Sequence, residues 1–181
     1  MDLKSGYPFW AIKNGLMRSF PALDRDVQCD AVIIGGGITG ALIADEFSAN
    51  GYAVTVLEQR DIGWGSTAAS TALLQYEIDT HLTELADWYG EVDALKAYQA
   101  CAQAIGDLQK LSERVGDVDF AMQESLYYAS RRRDKTSLKN EFLLRQKHGF
   151  DVHWLEPDTI KKHYGFKSHG AILSKLAARV D

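Results

Sequence analysis

The sequence predicts an α/β fold: a Rossmann-like βαβ unit near the start, then the opening of a second domain built from β-sheet and helices. Three features of the 181-residue chain carry that expectation. The run Ala31-Val32-Ile33-Ile34 is short, apolar and β-branched, as a strand buried on both faces reads, and it stops at three glycines. From residue 38 to 50 the pattern turns helical: Ile38, Ala41, Leu42 and Phe47 can share one face while Asp45 and Glu46 fall on the other, and Gly51 follows where a helix stops. Residues 53–57 form a second apolar strand. Strand, tight turn, helix and strand in about thirty residues make a βαβ unit, whose handedness makes the strands parallel neighbours.

The other elements follow in order. Residues 1–29 read as an irregular arm with Gly6, Pro8, Gly15 and Pro21, and with aromatics at Tyr7, Phe9, Trp10 and Phe20. Those aromatics either pin the arm to a domain surface or leave it a loose end. Residues 61–76, rich in Gly, Ser, Thr and Ala, predict an extended loop and then a helix start. Residues 82–88 and 93–115 read as helices, the second with Leu95, Tyr98, Ala102, Ile105, Leu108 and Leu111 near helical spacing. Residues 120–122 and 126–129 read as strands, with Gln123-Glu124-Ser125 as the turn between them. A helix over 134–148 ends at Gly149, a short strand covers 152–155, Pro157 opens a helix ending near Tyr164-Gly165, and 171–173 form a last strand. The expected domains are an arm over 1–29, a dinucleotide-type domain with a helical extension over 30–118, the start of a substrate domain over 119–175, and a return to the first domain over 176–181.

Hydrophobic residues are 46% of the chain and charged residues 25%, which suits a globular core. The formal net charge of −5 argues against nucleic acid, whose phosphates need a basic surface. No apolar run approaches the ~18 residues of a membrane span, and the first nine residues hold no signal-peptide core. Cys29 and Cys101 are too few for a disulfide framework and read as reduced thiols of a cytoplasmic protein.

The chemistry sits in Gly35-Gly36-Gly37-Ile38-Thr39-Gly40. It matches G-x-G-x-x-G at Gly35, Gly37 and Gly40, follows a predicted strand, opens a predicted helix, and has an acid, Glu58, at the end of the next strand. Gly35 lets the chain turn sharply, Gly37 leaves room for a pyrophosphate against the backbone, and Gly40 allows close helix–strand contact. The helix N-terminus offers N–H groups and the positive end of its dipole to phosphates. Glu58 can accept from both hydroxyls of a ribose, and its charge disfavours a 2′-phosphate. These residues read only an ADP moiety, so by themselves they leave FAD and NAD both open.

The next stretch, Arg60-Asp61-Ile62-Gly63-Trp64-Gly65-Ser66-Thr67-Ala68-Ala69-Ser70-Thr71-Ala72, follows the acidic strand end directly. Taken with residues 35–58 it resembles the FAD-dependent D-amino-acid oxidase family (the DadA-like glycine/D-amino-acid oxidases). The aromatic arm and the run Arg60–Ser66 look most like its gamma-glutamylputrescine oxidase branch. Residues 170–173 and 180–181 also look like a family segment, so the likeness covers about residues 5–181, specific over 31–72 and diffuse beyond. The resemblance implies an FAD-binding Rossmann-like domain with a β-sheet substrate domain. It also implies oxidation of a C–N bond in a small amine or amino acid, with hydride passing to the flavin.

Carried over residue by residue, Gly35, Gly36, Gly37, Ile38, Thr39 and Gly40 would hold the pyrophosphate, and Glu58 and Gln59 the ribose region. Arg60 would lie near the adenosine. Gly65, Ser66 and Thr67 would pass the pyrophosphate and ribityl chain, and the segment with Ser70, Thr71 and Ala72 would run beside the flavin ring. Many relatives carry an Arg-Asn-Gly-Gly-like run there, whereas this chain has Ala68-Ala69-Ser70-Thr71-Ala72 before Leu73-Leu74-Gln75. Residues 60–77 contain no His or Cys, so covalent attachment from this loop is excluded and FAD is expected to bind non-covalently here. Family members continue past residue 181, so the chain is expected to be an N-terminal fragment with its catalytic residues beyond it; no catalytic residue is named. An NAD-dependent dehydrogenase and a non-catalytic nucleotide-binding fragment are the alternatives.

Other residues are read structurally. Arg131-Arg132-Arg133 suits a solvated turn before a helix. His81, His148, His153, His163 and His169 show no metal spacing. Of Tyr127 and Tyr128, neighbours on a strand, one must point away from any substrate.

Overall fold

The computed structural model describes residues 6–15, 18–116 and 118–181, and it divides into two compact units, residues 1–71 and 72–181. In the first unit the expected βαβ motif is present. Strand β1 (Ala31–Ile34) pairs in parallel with β2 (Val54–Leu57), Ala31 opposite Val54 and Ile34 opposite Leu57. The ladder runs on at both ends: Asp30 N–H donates to Ala53 O at 2.9 Å, and Gly35 N–H to Leu57 O at 2.8 Å. The crossover is a helix (Ile38–Ala49), which ends at Asn50 and Gly51, the glycine at φ +85°.

Two expectations fail here. The arm is not wholly irregular, since Phe9–Lys13 forms a short helix α1, which makes the crossover helix α2. Strand β1 is not buried on both faces: Val32 is 56% and Ile34 87% exposed, with Ile33 half-buried between them. The reason is layering. Among the described residues this sheet has two strands and one crossover helix, so one face of β1 has no cover in the unit. For the same reason the expected apolar stripe of α2 is only partly used. Leu42 is half-buried, while Ile38, Ala41 and Phe47 are exposed, and Phe47 rests on Tyr52 with ring centroids 5.5 Å apart.

The second unit is a mixed helix and sheet layer. Strand β3 (Leu73–Gln75) stands where a helix start was expected, preceded by a 3-10 turn at Thr67–Ala69. Helices α3 (Leu82–Tyr89) and α4 (Glu91–Val115) follow. All six apolar residues expected on the α4 stripe are buried or half-buried. Strand β4 (Ala121–Tyr128) is continuous. The polar triplet Gln123-Glu124-Ser125 is a register shift inside it, not a turn. Helix α5 (Asp134–Lys147), strand β5 (Val152–Leu155) and helix α6 (Pro157–Tyr164) follow as read, with Pro157 in the first turn of α6 and Gly165 left-handed after it. The last strand, β6 (Ala171–Arg179), is longer than expected and lies at the centre of the sheet: β4 pairs along one side, and β3 and β5 take opposite ends of the other.

The core of this unit surrounds an ionic cluster. Tyr76, Leu82, Ala94, Tyr98, Ile105 and Ala178 form one apolar group, and Ala129, Leu138, Phe142, Val152 and Ile172 another. Within the layer, the buried Glu141 accepts the backbone N–H groups of Leu82 and Thr83, both at 2.9 Å, so it caps α3 from another helix. Arg145, one turn on, donates to Glu141 Oε1 at 2.6 Å and stands 3.4 Å from Glu77 Oε1. Burial pushes the Glu141 carboxyl up, but Arg145 and the two backbone N–H groups outweigh it and hold the group below its ordinary value.

Candidate functional site

The site grows from the end of β1. Gly35 adopts φ +110°, a conformation that a side chain resists, and so turns the chain out of the sheet. Gly36 is anchored twice. Its N–H donates to Glu58 Oε2 at 2.7 Å, and its carbonyl accepts from Gly63 N–H at 2.7 Å. Gly37 is the N-cap of α2, extended at φ −81° and ψ −174°. A Cβ on Gly37 would lie 3.0 Å from Thr67 Oγ1, and one on Gly40 would lie 1.9 Å from the Gly35 carbonyl oxygen. The first turn of α2 therefore rests directly on the backbone of the glycine turn, a contact that no other residue permits.

Glu58 sits just past β2, half-buried. Its second oxygen accepts Arg60 N–H at 2.9 Å. The Gly36 and Arg60 N–H groups hold its carboxyl below the ordinary carboxylate value. Both oxygens thus have a backbone donor, Gln59 N–H adds to their effect, and a carboxylate's roughly four lone-pair sites leave room for a further donor.

The loop after β2 returns to the same place. Thr67 opens the 3-10 turn, and its hydroxyl oxygen accepts Ile38 N–H at 3.0 Å, at the N-terminus of α2. Gly65, at φ +78°, and Ser66 precede it. The turn closes with Ala69 N–H on Ser66 O and Ser70 N–H on Thr67 O. The carbonyl of Ser70 then accepts the indole N–H of Trp10, at 2.8 Å.

Of the expected site residues, Gly35 to Gly40, Glu58 and Thr67 are thus brought together. The Ile38 and Thr39 side chains are exposed at the helix end, and Gln59, Arg60 and Ser66 are exposed on the loop. Ser70 is exposed and tied to the arm. Thr71 is exposed at the end of the first unit, and Ala72, at φ +56°, opens the second. Sequence reading missed three contributors: Gly63, Ile62, whose Cγ2 would lie 3.2 Å from a Cβ on Gly36, and Trp10. Trp10 had one legible signal, since an indole N–H held against the protein needs an acceptor. Among the described residues no helix is long and apolar enough to cross a membrane, and no group of three His, Cys, Asp or Glu is placed to hold a metal.

Comparison with known proteins now adds identity to this geometry. Residues 30–181 match the model of the family described as FAD dependent oxidoreductase, DAO. The chain belongs to that family. Its cofactor is FAD, and the expectation of a Rossmann-like FAD-dependent fold holds. The chain is 32% identical over 123 residues to a Bacillus subtilis protein named "Putative Rieske 2Fe-2S iron-sulfur protein YhfW", covering 67% of this chain and 24% of that one. It is 46% identical over 50 residues to the aerobic glycerol-3-phosphate dehydrogenase of Staphylococcus epidermidis, 28% of this chain and 9% of that one. Glycine oxidase from Geobacillus kaustophilus superposes with a TM-score of 0.67 at 20% identity, over 84% of this chain and 40% of that one. The chain thus spans about a quarter of its curated relative YhfW and two fifths of the solved oxidase.

Proposed function

We propose that residues 35–40, 58–60 and 65–72 hold FAD, and that the protein oxidises an amine or amino acid by passing hydride from a C–N carbon to the flavin. The observation that carries the reading is the glycine turn with Glu58 beneath it. Gly37, with no side chain of its own, lets a diphosphate approach the backbone at the positive end of a 12-residue helix, while Gly36 is held in place by Glu58. Glu58 is held ionised with lone pairs to spare, which suits the two ribose hydroxyls of the adenosine. Thr67 accepts from Ile38 N–H, so its own O–H is left to donate to a phosphate oxygen. FAD supplies the hydride acceptor when bound. This chain's residues bind it, orient it and keep its ADP end fixed. We read residues 119–175 as opening the domain that receives the substrate.

An amine donor is favoured by the likeness of residues 31–72 to the amine and amino-acid oxidases. A second reading, an alcohol donor such as a glycerol phosphate, is favoured by the 46% identity over 50 residues with the glycerol-3-phosphate dehydrogenase. Anaerobic titration of the FAD-loaded protein with a panel of amines and amino acids, and separately with glycerol 3-phosphate, decides between them. Bleaching of the visible flavin band by a member of the amine panel is expected. Bleaching by glycerol 3-phosphate alone would move the assignment to the second reading.

A further inference from the structure

The N-terminal arm makes one specific bond to the cofactor loop. Helix α1 has five residues, too few to persist without tertiary support. Its Trp10 is half-buried, packs edge-on against Phe9 with centroids 5.0 Å apart, and donates its indole N–H to the carbonyl of Ser70 across sixty residues of sequence. The acceptor is informative. The 3-10 turn satisfies itself through Ser66 and Thr67 carbonyls, so Ser70 O lies just outside it. At the near end of the same turn, Thr67 is fixed to the N-terminus of α2 through Ile38 N–H. The turn is therefore held at both ends, by α2 before it and by the arm after it. A cleft of about 290 Å³ lies between the arm residues Tyr7 to Trp10 and Ala68 to Ser70.

We propose that Trp10 is a positioning residue: the aromatic arm clamps the segment leading from Thr67 to Thr71, so that binding of whole FAD, but not of its ADP half, depends on the indole N–H. This rests on the cofactor assignment above. The ADP half would be held by the glycine turn, α2 and Glu58, which are fixed by their own bonds. The flavin half would meet the segment that the arm secures at Ser70.

The test compares FAD and ADP titrations of the chain, the first by flavin fluorescence and the second by calorimetry, for wild type, Trp10→Phe and Glu58→Ala. Trp10→Phe keeps a ring against Phe9 and removes the donor. Loss of one such hydrogen bond predicts an FAD Kd raised about 3- to 10-fold. It also predicts an unchanged ADP Kd and a shifted visible spectrum for the bound flavin. Glu58→Ala should weaken both ligands. Equal weakening of FAD and ADP by Trp10→Phe would mark a general loss of structure and overturn the positioning role. An unchanged FAD Kd and spectrum would overturn it while leaving the ADP site intact. A wild-type chain that binds neither ligand would overturn the site assignment and the clamp with it.

Discussion

Replacing Gly40 with Ala adds one methyl group, and the structure says where it must go. The new Cβ would stand 1.9 Å from the Gly35 carbonyl oxygen, about 1.4 Å short of the roughly 3.3 Å at which a carbon and a carbonyl oxygen normally meet. The obstacle is backbone, and that backbone is tied into the sheet through Gly35 N–H on Leu57 O. Neither side can rotate away, so the first turn of α2 must lift from the glycine turn. Overpacking of this kind costs about 1–3 kcal/mol, and a rigid neighbour on each side points to the upper end. A lift of about 1 Å also carries helix N–H groups out of hydrogen-bond range of a fixed phosphate. Gly106→Ala is the matched control, because Gly106 lies inside α4 with nothing within 4 Å of its added Cβ. There the change should stabilise by up to about 1 kcal/mol through helix propensity. Urea unfolding and FAD titration of both variants make the assay. A Gly40→Ala chain that unfolds and binds FAD like wild type would refute the close-packing account.

Further expectations concern the buried ions and the strained loop. Arg145→Met would leave Glu141 and Glu77 buried without their cation, and should cost about 3–5 kcal/mol in urea unfolding; a loss below about 1 kcal/mol would contradict the network. Glu141 is held below its ordinary value of 4.5, so the stability it adds is full above that value and disappears as pH falls through the lower folded one. Glu141→Gln should therefore be less stable than wild type near neutrality, with the gap closing in acid; a gap independent of pH would count against the ionised cap. Ala72, a non-glycine at φ +56°, should accept glycine with a change in unfolding free energy below about 1 kcal/mol, since relief of strain offsets added chain freedom. A much larger loss would show that its methyl group is packed.

What the sequence disclosed was local. The β1, glycine turn, α2 and β2 order was legible because each step rests on neighbours: β-branched residues, then glycines, then a glycine stop. The same holds for α4, whose apolar spacing survives packing, and for α6, bounded by Pro157 and Gly165. What stayed hidden depends on residues far away in the chain. Strand β3 is three residues long and exists because it pairs with the end of β6 about a hundred residues later. Gln123-Glu124-Ser125 looks like a turn, yet Glu124 pairs with Lys175 and Ser125 donates to Glu77, so the polar triplet is at home in a strand. Glu141 and Arg145 look like an exposed helix pair at i, i+4, and only the fold shows both to be buried. At the site, the glycines and Glu58 announced themselves by spacing. The Trp10–Ser70 bond joins an arm and a loop sixty residues apart, so the sequence offered the indole as a donor but nothing that named its acceptor.

The central claim is that the glycine turn and Glu58 together hold the ADP end of FAD. The most direct test is the FAD dissociation constant of wild type, Glu58→Gln and Glu58→Ala, measured from neutral pH downward. Removing a charged acceptor of two ribose hydroxyls should weaken binding roughly 10- to 100-fold at neutral pH. Because its backbone donors hold the Glu58 carboxyl low, wild-type affinity should stay flat through the ordinary carboxylate range and fall only in stronger acid. Equal affinity for all three proteins at neutral pH would contradict the assignment.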